Sequence, residues 1–126
     1  MDEIIKPSLT MLILDFIWLT MFMSKRYKVM IKDIQGEELK VKMIYAALVY
    51  LLMIIGQQVY VKPLIKSKKD VLIYGGLFGL IVFGIYDLTA GAVIKKWDLK
   101  LAIIDILWGV FLFTVSSFPF IKNNTD

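Results

Sequence analysis

Three aspartates, Asp15, Asp87 and Asp105, each lie inside a long apolar stretch of this 126-residue chain. A carboxylate facing acyl chains costs several kcal/mol, so such groups turn inward and are functional by default. Three of them close together in low dielectric cannot all stay ionised, and one or more should hold a proton near neutral pH. Groups of this kind suit proton relay or the exchange of a proton for a cation. Oxygen ligands alone would also suit a hard cation such as magnesium or calcium, although the spacing defines no metal ligand set. Trp18, Trp108, Tyr50, Tyr86, Gln57 and Thr89 are the polar or aromatic residues placed to join the acids in transport or ligand binding. The plainer reading is that protonated aspartates hydrogen-bond Trp18, Trp108, Tyr50 or Tyr86 across helices and only fix the structure.

Composition narrows the chemistry. The chain has no cysteine and no histidine, which excludes thiol chemistry, zinc sites of the usual kind, imidazole acid–base work and haem held by histidine. No lysine lies within an apolar stretch, so a buried Schiff base is excluded too. Enzymatic acid–base work would rest on aspartate and tyrosine alone, and no cofactor is expected. The net charge is +4, but the basic residues sit between the apolar stretches. That is the pattern of loops at a headgroup surface, not of a nucleic-acid patch.

The elements that must position the acids are four apolar blocks, 8–24, 43–61, 71–94 and 101–121. Hydrophobic residues make up 59% of the chain, above the half expected of a soluble domain, and the excess is concentrated in these blocks. They predict an all-α fold, a polytopic membrane four-helix bundle forming one transmembrane domain. The first block is read as a retained helix, because its lead is not basic and Asp15 interrupts its core. Counted from the flanking charges at about 1.5 Å per residue, all three acids fall in one half or the centre of the bilayer. Loops one and three hold nine basic residues, against six in the termini and loop two. The positive-inside rule then leans toward termini outside.

The third block, VLIYGGLFGLIVFGIYDLTAGAVI, holds five glycines. On a helix of about 3.6 residues per turn, Gly76, Gly84 and Gly91 share the Asp87 face, Gly79 lies near it, and Gly75 falls away. With Gly109 of the fourth block, Gly76, Gly79, Gly84 and Gly91 are the expected helix-packing positions, since glycine lets helices approach closely in lipid. This places the third helix centrally. The first and fourth blocks share an Asp-x-x-Trp pattern, Asp15/Trp18 and Asp105/Trp108, and Ser116 shares the Asp105 face. The connection 25–42 is read as a solvated loop broken at Gly36, with a short amphipathic turn at Val29, Met30, Ile31 and Ile34 as the alternative.

These residues, taken in order, resemble the domain of unknown function 2177 family of small four-span membrane proteins of bacteria, algae and large DNA viruses. The matching elements are Asp15-Phe16-Ile17-Trp18-Leu19 and Tyr27, then Tyr50, Gly56, Tyr60 and Pro63. They continue with Gly76, Gly79, Leu80 and Tyr86-Asp87-Leu88-Thr89, then Lys96-Trp97 and Asp105-Ile106-Leu107-Trp108-Gly109. The resemblance covers roughly residues 11–117. It implies four spans and gives weight to the acids, but no activity. The family pattern continues Asp-Leu-Thr with asparagine, where this chain has Ala90.

The residues support three functional classes. The leading one is a small proton- or cation-coupled transporter or channel-like bundle using the intramembrane aspartates, with Asp87 central. By fold-level analogy with small drug exporters, it would work as a homo-oligomer in the lipid bilayer. The second is a scaffold or partner subunit bound through the glycine face. The third is a membrane enzyme acting on lipid headgroups. Asp87→Asn discriminates the first two, because asparagine keeps hydrogen bonding but loses titration.

Overall fold

The computed structural model describes residues 2–36 and 43–124, and is helical almost throughout. Four helices are long and apolar enough to cross a membrane: Ile4–Phe22, Met43–Leu64, Lys68–Val93 and Leu99–Ile121. In chain order these are spans one to four. The all-α, four-span architecture expected from the apolar blocks is the one observed.

Span one is α1 (Asp2–Ile17), which runs through a π-helical stretch (Trp18–Met23) into α2 (Ser24–Gln35). Helix thus continues over 2–35, at about 1.5 Å per residue roughly 50 Å, well past the ~30 Å of a hydrocarbon core. The first half of the connection is therefore not the solvated loop expected. Its apolar residues Met30, Ile31 and Ile34 recur on one helix face and pack with Trp18, Trp97 and Leu101. Burial of that face holds the segment helical, where charge density alone suggested coil. The helix stops at Gly36, whose φ of 74° is the left-handed conformation that suits glycine at a helix C-terminus. Its N–H reaches the Lys32 carbonyl at 2.8 Å. Residues 37–42 of the connection and the side chain of Tyr27 lie outside the described residues.

Span two is α3 (Met43–Gly56), a π-helical stretch (Gln57–Val61) and a 3₁₀ turn (Lys62–Leu64), where Pro63 prevents continuation. Span three begins with a helical turn at Lys68–Asp70, capped by the Ser67 hydroxyl, which accepts from the Asp70 N–H. A π-helical stretch (Val71–Gly75) and α4 (Gly76–Val93) complete it. Its 26 residues exceed a perpendicular crossing and imply tilt. Span four is α5 (Leu99–Ser117), capped by Asp98, whose carboxylate accepts from the N–H groups of Lys100 and Leu101. A last helix, α6 (Pro119–Asn124), comes after it and packs back on α1.

Span four, not span three, is the centre. A larger share of its residues is buried than in span three, and far larger than in span two. It packs along most of span three, meets span one, and receives Gln57 from span two. Sequence placed the glycine-rich helix innermost because its glycines and Asp87 share nearly one face. Glycine marks where another backbone comes close, and here the closest approach is mutual. A Cβ added at Gly79 would run into the Gly109 carbonyl, and one at Gly109 would run into the Phe83 ring. Gly76 also packs on span four, 3.2 Å from Thr114 Oγ1 as measured from where its Cβ would stand.

The other glycine assignments differ from expectation. Gly84 is buried but has nothing within 4 Å of a Cβ position, and Gly91 is exposed, with only Trp97 in ordinary contact. Neither mediates close helix packing. Gly75 does: a Cβ there would stand 2.8 Å from the Phe113 carbonyl oxygen and 3.1 Å from Ser117 Oγ. Gly75, Gly76 and Gly79 together meet span four, and on a helix Gly75 lies about 40° from Gly79, so the packing face is centred away from the Asp87 direction.

Candidate functional site

Spans one, two, three and four each bring a polar group to one region of the interior. From span one comes Asp15, 4% exposed; from span two Tyr50; from span three Asp87, 0% exposed; and from span four Asp105, 5% exposed. Asp15 and Asp105 line one cleft, and Asp87 stands beside Asp105.

The three are not equivalent. Asp15 is fully engaged: the Tyr50 hydroxyl donates to Oδ2, and Trp108 Nε1 donates to Oδ1 at 3.0 Å. The two Asp-x-x-Trp patterns interlock through this contact. Trp108 of span four serves the acid of span one, and Trp18 stacks flat on Trp108, with ring centroids 4.5 Å apart and planes 3° from parallel. The exchange is one-sided, because Trp18 Nε1 is buried without a partner among the described residues. Trp18 opens the π-helical stretch of span one, and the widened turn accompanies a stack that continues to Phe22 at 4.4 Å.

Asp87 is the opposite case. It is completely buried, and neither carboxyl oxygen has a donor among the described residues. The acidic group beside it is Asp105, in hydrogen-bonding proximity. Two carboxylates are both acceptors, so this contact becomes a hydrogen bond only when one carboxyl carries a proton. Tyr50 lies in the field of Asp15 and Asp105, and Tyr86 in that of Asp87 and Asp105. Both phenols are thus on the rim of one electrostatic unit.

Beside the acids lies a cleft of about 560 Å³, open on one side. Asp15 and Asp105 reach it, as do Tyr50, Tyr86 and Trp97, while Ala46, Val49, Met53, Val82 and Phe83 form its apolar walls. It exists because span two stands off. Its C-terminal end is held at Val61, Ile65, Val71 and Phe120, but α3 makes few close approaches to the other spans. Leu19 and Ile31 bring the end of span one and α2 to the same cleft, and Tyr86 meets Trp97 edge to face at 6.1 Å.

Two candidates fall elsewhere. Gln57 is buried at the far end of the bundle, where its Nε2 donates to Ser116 Oγ at 2.7 Å and Ser117 Oγ at 3.1 Å. Met11, Met53, Leu112 and Phe113 form an apolar cluster in the same bundle interior. Thr89 is exposed and is not among the cleft's lining residues. Ala90, one turn from Asp87, is buried. Sequence reasoning missed Ser117, Gly75, and the lining roles of Trp97 and Ile31. The adjacent serines inside an apolar block were a readable signal; the other three depend on contacts with elements distant in sequence.

An all-helical bundle of four spans with a buried carboxyl pair beside an apolar cleft defines a polytopic integral membrane protein. The chain belongs to the family described as "Predicted membrane protein (DUF2177)", whose model matches residues 4–120. No curated protein and no solved structure matches it.

Proposed function

We propose that this membrane protein is a small proton- or cation-coupled carrier in which the Asp87–Asp105 pair holds the exchangeable proton. One observation carries the reading: a fully buried carboxyl, without a donor among the described residues, stands against a second carboxyl that reaches an open cleft. A purely structural acid would be satisfied as Asp15 is, by donors from neighbouring spans. Asp87 is instead supplied with a partner it can bond only by sharing a proton. Asp105 connects that proton to the cleft.

The glycine face on which a scaffold would rely is largely used within the chain. Gly76 and Gly79 are covered by span four, so a partner helix has no glycine groove there. The test of the carrier reading is ion flux in proteoliposomes with a pH-sensitive dye inside, comparing the wild-type chain with Asp87→Asn under one imposed gradient. Flux in the wild type and its loss in the variant are expected. Absence of flux from both, or equal flux from both, overturns the reading.

A further inference from the structure

The cleft between spans two and three has a chemistry of its own. Its walls are aliphatic and aromatic, and its polar groups are two carboxyls and two phenols. No lysine or arginine is among its described lining residues. Its volume falls within the range of small-molecule sites, ~300–1,000 Å³. Asp105, which lines it, stands beside Asp87, which is completely buried and has no donor among the described residues. Tyr50, Tyr86 and Trp97 line it too, and aromatic rings attract cations more strongly when desolvated. We propose that this cleft is a binding site for an amphiphilic organic cation, seated with its apolar groups against Val49, Met53 and Phe83 and its charge at Asp105. This names the substrate class and rests on the carrier reading.

The charge pattern selects this occupant over others. A neutral acyl chain would fill the apolar walls but bring no charge to the two acids that line the cleft. An anionic headgroup would meet two acids and no base. A hydrated inorganic cation would leave the aliphatic walls unfilled. A bulky cation with delocalised or shielded charge satisfies both surfaces, because its desolvation is cheap and Asp105 supplies the counter-charge. The proton balance is simple. When the cation arrives, the proton shared by Asp87 and Asp105 leaves to the aqueous phase, and the cation takes over the counter-ion role. Net charge in the site is then unchanged.

Tetraphenylphosphonium and tetraphenylborate are probes of one shape and opposite charge, and both can be titrated against the full-length protein in mild detergent by calorimetry. Saturable phosphonium binding is expected, with borate weaker by roughly tenfold or more. Repeating the phosphonium titration in buffers of different ionisation enthalpy should show about one proton released per cation bound. Asp105→Asn should lower phosphonium affinity and abolish proton release. Val49→Trp, which occupies the cleft from an exposed wall position, should lower phosphonium binding without touching an acid. Helical circular dichroism and a single gel-filtration peak qualify each variant. Equal affinity for the two probes, no saturable phosphonium binding by the wild type, or binding indifferent to Val49→Trp overturns the proposal. The carrier reading fails separately: phosphonium binding with proton release but no flux would retain the site and refute transport, whereas flux dependent on Asp87 without phosphonium binding would retain transport and refute this substrate class.

Discussion

At the scale of single residues, the three aspartates are sharply different in the fold, in ways their sequence surroundings do not give. Each is an aspartate in an apolar block, and periodicity gives its face and depth but not its partners. Partners come from other helices: Trp108 lies 93 positions from Asp15 and Tyr50 lies 35. The difference makes a prediction. Tyr50→Phe removes one donor to Asp15 and should destabilise the protein by about 1–3 kcal/mol, the usual cost of stranding a buried polar group. Asp15→Asn should cost less, because its amide still offers a carbonyl to Trp108 and a donor to the tyrosine oxygen. Unfolding midpoints of the two variants in one detergent check the order. A larger loss for Asp15→Asn would mean that the negative charge itself, not the hydrogen bonds, holds spans one, two and four together. The spacing of Asp-x-x-Trp was legible as a pattern. That one tryptophan would serve the other helix's acid, while its counterpart only stacks, was not, since the sequence is symmetric at that point and the packing is not.

At the scale of elements, the test lies in the glycines. Four apolar helices could be read directly from hydropathy, because a span must satisfy its own backbone in lipid and must be about 20 residues long. Which glycine matters could not, because that depends on a neighbour's backbone. Gly79→Ala sets a Cβ against the Gly109 backbone carbonyl, which cannot rotate away. We expect a loss of ~1–3 kcal/mol or more and separation of spans three and four. Gly84→Ala enters open space in a helix interior and should be neutral or stabilising by up to ~1 kcal/mol. Thermal denaturation of the two variants side by side is sufficient, and equal effects would contradict the described helix contact. The remaining misreading comes from taking Asp87 as the reference direction: span four packs on the side of Gly75, Gly76 and Gly79, not against Gly84 or Gly91. Apolar residues fill all sides of this helix, so nothing in the hydrophobic pattern reveals which side that is.

At the scale of the whole molecule, the bundle is tight at one end and open at the other. The far end of span two is anchored by Gln57 to Ser116 and Ser117, and by Val61 and Ile65 to Val71 and Phe120. Its N-terminal half stands off span three and leaves the cleft. A π-helical stretch, Gln57–Val61, lies where the anchored part begins, and such stretches are places where helices bend. An occupant of the cleft therefore has one compliant wall, α3, and one stiff wall, spans three and four. Spin labels can read this directly. A pair at Leu48 and Ile85, both exposed and outside the cleft lining, spans the open end, and a pair at Leu64 and Leu72 spans the anchored end. We expect a broad distance distribution for the first pair that narrows when phosphonium is added, and a narrow, unchanged distribution for the second. Gln57→Leu should broaden the second pair, because it removes both hydrogen bonds that fasten span two to span four. Equal widths at the two ends would mean that span two is held along its whole length and that the cleft has rigid walls. Alternation of the carboxyl pair between two sides would then require motion of another element, and span one with its π-helical turn at Trp18 would be the next to label.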